Sequence, residues 1–128
     1  MTKRIITTKD APAPIGPYNQ AVLVNENTLY TSGQIALDPN TMELVLDSIE
    51  IETKQVMENM KAVLEAADMT FENVIKTSIF ISDMNNFVEI NAVYANYFDE
   101  ATAPARETVE VANLPKFVNV EISMIAVK

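Results

Sequence analysis

The chain has 128 residues, with 18 acidic against 9 basic side chains and neither cysteine nor histidine. Those two absences exclude disulfides, thiol nucleophiles, imidazole acid–base chemistry and the usual zinc ligands. A formal charge of −9 disfavours contact with a phosphate backbone. Chemistry therefore falls to carboxylates, Arg, Lys, Tyr, Ser, Thr and backbone groups, with no cofactor or metal implied. A small anionic substrate would need a local cation to offset the acidic surface. The length fits a single domain over residues 1–128. No apolar run is long enough to span a bilayer, and the N-terminal MTKRIITTKD lacks a signal-peptide core. A cytoplasmic protein is expected.

Lys3–Thr8 reads as a short edge strand, and Ala11–Pro17, with three prolines, as a loop. Gln20–Val24 and Thr28–Ile35 are strand-like runs joined by a tight turn at Asn25-Glu26-Asn27. From Ile49 to Ala67, apolar residues at Ile49, Val56, Met60, Val63, Leu64 and Ala67 keep the spacing of one helical face, with Ser48 or Asp47 as cap. Val74–Ile81 is a β-rich run. Asp83–Asn86 is a loop carrying cap residues. Phe87, Ile90, Val93, Tyr94, Tyr97 and Phe98 form the stripe of a second helix. After a Pro-containing loop at Ala101–Ala105, the runs Glu107–Val111 and Val118–Val127 alternate as final strands.

The order β-β-β-α-β-α-β-β implies an α+β fold. Two helices would cover one face of a mixed sheet of about six strands. The other face would be left open. Ile122, Met124 and Ala126, or their alternates, are the apolar candidates for it, so self-association should cover it.

Few residues could carry chemistry. Arg106, after Pro104-Ala105, offers a planar fork that matches a carboxylate, or it forms a surface ion pair with one of the many acids. Glu121 lies mid-strand. Facing a pocket it would have a raised pKa suited to proton transfer; otherwise it is a solvated strand residue. Tyr18, Ser32 and Gly33 could meet an anion or a water, or serve turns and packing. Asn91 sits beside the stripe of the second helix, where a solvent-edge role is the plain alternative. The seven methionines suit core packing.

Taken together, these segments resemble one family. Ile15-Gly16-Pro17-Tyr18-Asn19-Gln20-Ala21, Tyr30-Thr31-Ser32-Gly33-Gln34-Ile35, Pro104-Ala105-Arg106, Val109–Pro115 and Val120-Glu121-Ile122 look like hallmark segments of the RidA/YjgF family, and they occur in order along the whole chain. The resemblance implies a chorismate-mutase-like fold, assembled as a homotrimer with sites between subunits. It also implies hydrolysis of 2-imino acids, such as 2-iminobutanoate and 2-iminopropanoate, and of their enamine tautomers. These arise from amino-acid dehydratases, and the products are 2-oxo acids and ammonia. Arg106 would hold the substrate carboxylate and Glu121 would deprotonate the attacking water. Tyr18, Ser32, Gly33 and Asn91 would shape the pocket, and backbone groups near Arg106 and Thr108 would meet the substrate.

The chain departs from the family pattern at Thr108, where many members carry Cys, and at Glu107, where a small residue is common. Alternation puts Glu107 on the face opposite Arg106. Met42, Asp47 and Asp68 stand where glycines are common. A second reading is a non-catalytic trimer that binds a small carboxylate and acts through a protein partner; Glu121 discriminates the two. A nucleic-acid role is opposed by the charge and by the lack of histidine.

Overall fold

The computed structural model describes all 128 residues. Its elements are β1 (Lys3–Ile6), β2 (Ala21–Val24), β3 (Thr28–Thr31), α1 (Ile49–Ala66), β4 (Val74–Ile81), α2 (Phe87–Ala95), β5 (Ala105–Glu110) and β6 (Val120–Val127). The six strands form one sheet in the order β1-β2-β3-β6-β4-β5. Every neighbouring pair is antiparallel except β4 and β5, which are joined through α2. This is the α+β architecture expected, a mixed six-stranded sheet with both helices on one face.

The helices form where the spacing places them. Ser48 caps α1 by accepting from the Ile51 amide at 3.1 Å. Val56, Met60, Val63 and Leu64 turn one face of α1 into the core. They meet Ile122, Met124 and Ala126 of β6 in the main apolar cluster. Burying each of the larger side chains stabilises the fold by about 1.5–3 kcal/mol. Of the two sets of β6 residues left open for the uncovered face, this removes Ile122, Met124 and Ala126: all three lie beneath the helices, at most 2% exposed. Their alternates Glu121, Ser123 and Ile125 point the other way and are half-buried. The outer face is therefore mixed. Tyr30, Ile125, Phe80 and Val109 supply apolar surface around Lys76, Ser78 and Glu107. Lys76 Nζ lies 2.6 Å from Glu107, and the Ser78 hydroxyl donates to the same carboxylate. Glu107 thus faces away from Arg106, as alternation requires.

The strand expected over Thr28–Ile35 stops at Thr31. The chain leaves the sheet at Ser32-Gly33 and returns for one bridge, in which Gln34 and Ile122 exchange backbone hydrogen bonds of 2.8 and 3.1 Å. The second helix ends at Ala95, short of Tyr97 and Phe98. Met42 and Asp68 adopt left-handed backbone, with φ 61° and 58°. Two of the three positions where glycine is common thus keep the conformation glycine would supply most easily.

Two buried polar side chains fasten loops to this frame. Gln20, 2% exposed, donates to the carbonyls of Thr8, Ala11 and Pro12 and accepts from the Thr8 amide, which pins the proline-rich loop. Asn59 of α1 donates to the carbonyls of Ile35 and Leu37 at 3.1 and 2.9 Å, which pins the segment after Gly33. Replacing Asn59 with Leu strands both carbonyls in the interior, at about 1–3 kcal/mol each. Chemical denaturation of Asn59→Leu should show a loss of roughly 2–5 kcal/mol at an unchanged m-value. A loss under about 1 kcal/mol would show that water replaces the bonds.

Candidate functional site

The residues singled out in the sequence gather in two places. The first is a cavity of about 60 Å³ at the outer face of the sheet, lined by Tyr18, Gly33, Ile35, Leu37, Pro115 and Glu121, with Gln20 behind. Glu121 reaches it because β6 alternates, with Val120 and Ile122 turned inward. The start of β6 is held in turn by Glu52. This carboxylate is fully buried in the first turn of α1 and accepts from the Asn119 amide at 2.8 Å and its side chain at 2.7 Å. An acid is favoured at that end of a helix by the peptide dipoles.

Gly33 is close against Glu121. A Cβ at Gly33 would lie 2.7 Å from the Glu121 carboxyl carbon and from one of its oxygens. Glycine is needed here for close approach, not for an unusual φ. Partial burial raises the Glu121 pKa above the ordinary carboxylate value. Ser32 lies just outside the cavity: its hydroxyl donates to the Asn19 carbonyl at 2.5 Å, and its amide donates to the Gln20 carbonyl at 2.9 Å. Ser32 therefore ties the Tyr18 loop to the Gly33 segment. The Tyr18 hydroxyl accepts from the Ile15 amide at 3.4 Å, so it curls back over its own loop.

The second place lies across the sheet, beside α2. Arg106 Nη1 donates to Asn91 Oδ1 at 2.7 Å. Its guanidinium carbon sits 5.0 Å from the centroid of the Tyr94 ring and 5.8 Å from that of Phe87. The protein has two ion pairs, Arg4–Glu26 and Lys76–Glu107. Arg106 belongs to neither, although acids outnumber bases two to one. A concavity of about 500 Å³ opens beside it, lined also by Tyr94, Ala95, Phe98, Glu100 and Ala103. Thr108 lies two residues further along the same face of β5. Its hydroxyl oxygen is buried with no hydrogen-bond partner, and it lines neither cavity.

The two groups do not meet within one chain. Arg106 is level with Thr77 of β4, and Glu121 is level with Phe80, with β4 lying between their strands. Two inter-strand spacings and three residues of rise put their backbones on the order of 14 Å apart. Alternation then sends the side chains to opposite faces. Sequence reasoning treated Phe87 and Tyr94 as core stripe and gave Gln20, Ile35, Leu37 and Pro115 no role. The signal for Phe87 and Tyr94 was their spacing from Asn91, four residues before and three after on one helical face.

Residues 8–128 match the family described as Endoribonuclease L-PSP. A protein of the conserved Rid family from Yersinia pestis superposes with a TM-score of 0.94 at 48% identity, covering 99% of this chain and 100% of the other. The chain belongs to the RidA/YjgF family. The YjgF gene product of E. coli superposes at TM-score 0.89 with 43% identity, covering 98% of each chain. A RutC family protein of Synechocystis is 56% identical over 99% of this chain and 98% of its own length. The human 2-iminobutanoate/2-iminopropanoate deaminase is 43% identical over 100% of this chain and 92% of its own. No helix of this RidA-family chain is long and apolar enough to cross a membrane.

The Gly33–Glu121 contact yields a direct test. In Gly33→Ala the Cβ must displace the Glu121 carboxyl, the mobile end of a side chain, so the fold should survive. Melting temperature should stay within a few degrees. Any reaction that uses Glu121 as acid or base should fall by about 10²–10⁴-fold. Full activity in a folded Gly33→Ala protein would show that Glu121 need not sit where it does.

Proposed function

We propose that the protein hydrolyses 2-imino acids and their enamine tautomers to 2-oxo acids and ammonia. In this reading residues 1–128 act as one domain in the cytoplasm. Three copies associate so that the edge strand β5 of one copy, which carries Arg106, meets the Glu121 cavity on the outer sheet face of the next. The observation that carries the reading is Arg106: a cation with no ion-pair partner, held on an aromatic floor in an acidic protein, is suited to capture a carboxylate.

The chemistry follows from the two groups. Arg106 binds the substrate carboxylate through paired N–H donors. The Glu121 carboxylate takes a proton from water as the oxygen attacks the C=N carbon and passes it to the imine nitrogen, which gives a neutral carbinolamine. Glu121 then takes the carbinolamine hydroxyl proton and returns it to nitrogen as the C–N bond breaks, so that the 2-oxo acid forms and ammonia leaves. One water is consumed and the net reaction needs no redox partner. The tight walls at Gly33 and Ile35 suit a small reacting centre. The names of the human and mouse relatives, each a 2-iminobutanoate/2-iminopropanoate deaminase, support the reaction class. A second reading, binding without turnover, draws on an E. coli TdcF structure with bound serine (TM-score 0.91, 43% identity). Carboxylate capture by Arg106 serves both readings, and only hydrolysis requires Glu121.

The test couples the purified protein to a threonine dehydratase in the presence of semicarbazide and follows diversion of free imine to oxo acid. Arg106→Ala should lower the rate by two orders of magnitude or more, since each charged hydrogen bond is worth about 1.5–3 kcal/mol. A rate within threefold of wild type would contradict the anchor. Light scattering at micromolar concentration should give three times the 14.2 kDa chain mass, and a monomer would remove the shared site.

Protonation offers an independent check. Burial raises the Glu121 pKa, so the folded state holds that proton to higher pH than the unfolded chain does. The group's contribution to stability therefore falls as pH rises from the unfolded value through the folded one. Glu121→Gln removes the buried charge and should leave stability at pH 7 unchanged or slightly higher while activity is lost. If Arg106 of a neighbouring copy faces Glu121, Arg106→Ala should move the Glu121 titration upward, as read by carboxyl-carbon NMR. An unmoved titration would place the two groups in separate sites.

A further inference from the structure

We infer that Tyr94 is a positioning residue that sets the direction of the Arg106 guanidinium, with Thr77 fixing Tyr94 in turn. This rests on Arg106 as the carboxylate anchor. Tyr94 is 5% exposed, and its ring lies 5.0 Å below the guanidinium carbon. Its hydroxyl donates to Thr77 Oγ1 at 3.0 Å. Burial pushes the Tyr94 phenol up, so it stays a donor at neutral pH. Thr77 is fully buried and is the β4 residue directly opposite Arg106 in the β4–β5 register. The strand pair that presents Arg106 thus also clamps the ring beneath it.

The arrangement constrains the guanidinium from two sides. Tyr94 and Phe87 face it with π-surface, the geometry in which a cation is attracted to a ring. Asn91 accepts one N–H from the rim. A guanidinium has five N–H donors in one plane. With one committed to Asn91, four remain, and an adjacent pair of them can meet a carboxylate as a fork. An arginine on an exposed edge strand would otherwise sample many rotamers, and ordering it on binding would weaken affinity. Tyr94 removes that freedom in advance without touching substrate. A Phe or Leu at this position would fill the core equally well. Only Tyr also bonds to Thr77, and that bond sets the ring's place under Arg106.

The test measures binding of 2-oxobutanoate by calorimetry, so it does not depend on turnover. Tyr94→Leu should weaken binding about tenfold. Tyr94→Phe and Thr77→Val, which keep the shape and lose the bond, should each weaken it about two- to fivefold, and together no more than either alone. In an Arg106→Ala background Tyr94→Leu should add nothing, because its effect passes through Arg106. Imine turnover by Tyr94→Phe should show a raised KM with kcat within threefold. If Arg106→Ala binds 2-oxobutanoate as wild type does, the anchor reading falls, and this inference with it. If Arg106→Ala loses binding while Tyr94→Phe and Thr77→Val stay within 1.5-fold of wild type, the anchor stands and the positioning role is overturned. Should Tyr94→Leu fail to fold, the two conservative variants decide the question alone.

Discussion

Strand pairing puts β4 between β5 and β6, and the alternation of side chains along those strands sends Arg106 and Glu121 to opposite faces of the sheet. The remaining features of the molecule follow from this constraint. β6 can bury Ile122, Met124 and Ala126 under α1 only if Glu121 faces outward. β5 can present Arg106 to α2 only if Glu107 faces outward too, where Lys76 and Ser78 receive it. A slip of one residue in either strand would reverse both faces at once. The 22-residue core therefore fixes which face of the sheet Arg106 and Glu121 each occupy.

Buried polar side chains carry that order outward into loops with no regular structure of their own. Gln20 holds the proline-rich loop that bears Tyr18, Asn59 holds the segment after Gly33, and Glu52 holds the residue two before Glu121. Each would be expensive to bury unpaired, and each is instead hydrogen-bonded to the segment it restrains. The cavity beside Glu121 is thus walled by loops whose positions are set from the interior. Across the sheet, Thr77 and Tyr94 do the same for Arg106. The residues of the candidate site are held by buried ones beneath them.

Much of the fold was legible because periodicity reports burial. α1, β4 and the β6 alternation were visible as spacing, and Val74–Ile81 has the same bounds by sequence and by structure. Which β6 residues are covered stayed open, because alternation alone does not say which of two faces the helices will choose. It also ran Thr28–Ile35 as a single strand. Local β propensity there does not reveal that Gly33 lets the chain pass within contact of a side chain on β6. Arg106 and Glu121 stood out by charge and by resemblance. Gln20, Glu52 and Asn59 did not, since a polar residue within a strand or helix looks the same whether it faces water or a carbonyl. Tyr94 was hidden for a related reason: its ring belongs to the core stripe, while its hydroxyl bonds Thr77 and its face lies under Arg106.

The proposed hydrolysis requires that Arg106 of one copy and Glu121 of another form one working site. Arg106→Ala and Glu121→Ala proteins, each inactive alone, can be unfolded together, refolded, and checked by native mass spectrometry for mixed assemblies. In such mixtures some interfaces receive a wild-type Arg106 from one copy and a wild-type Glu121 from the next, so imine hydrolysis should return to a fraction of the wild-type rate. Mixed assemblies that form and remain inactive would contradict the account.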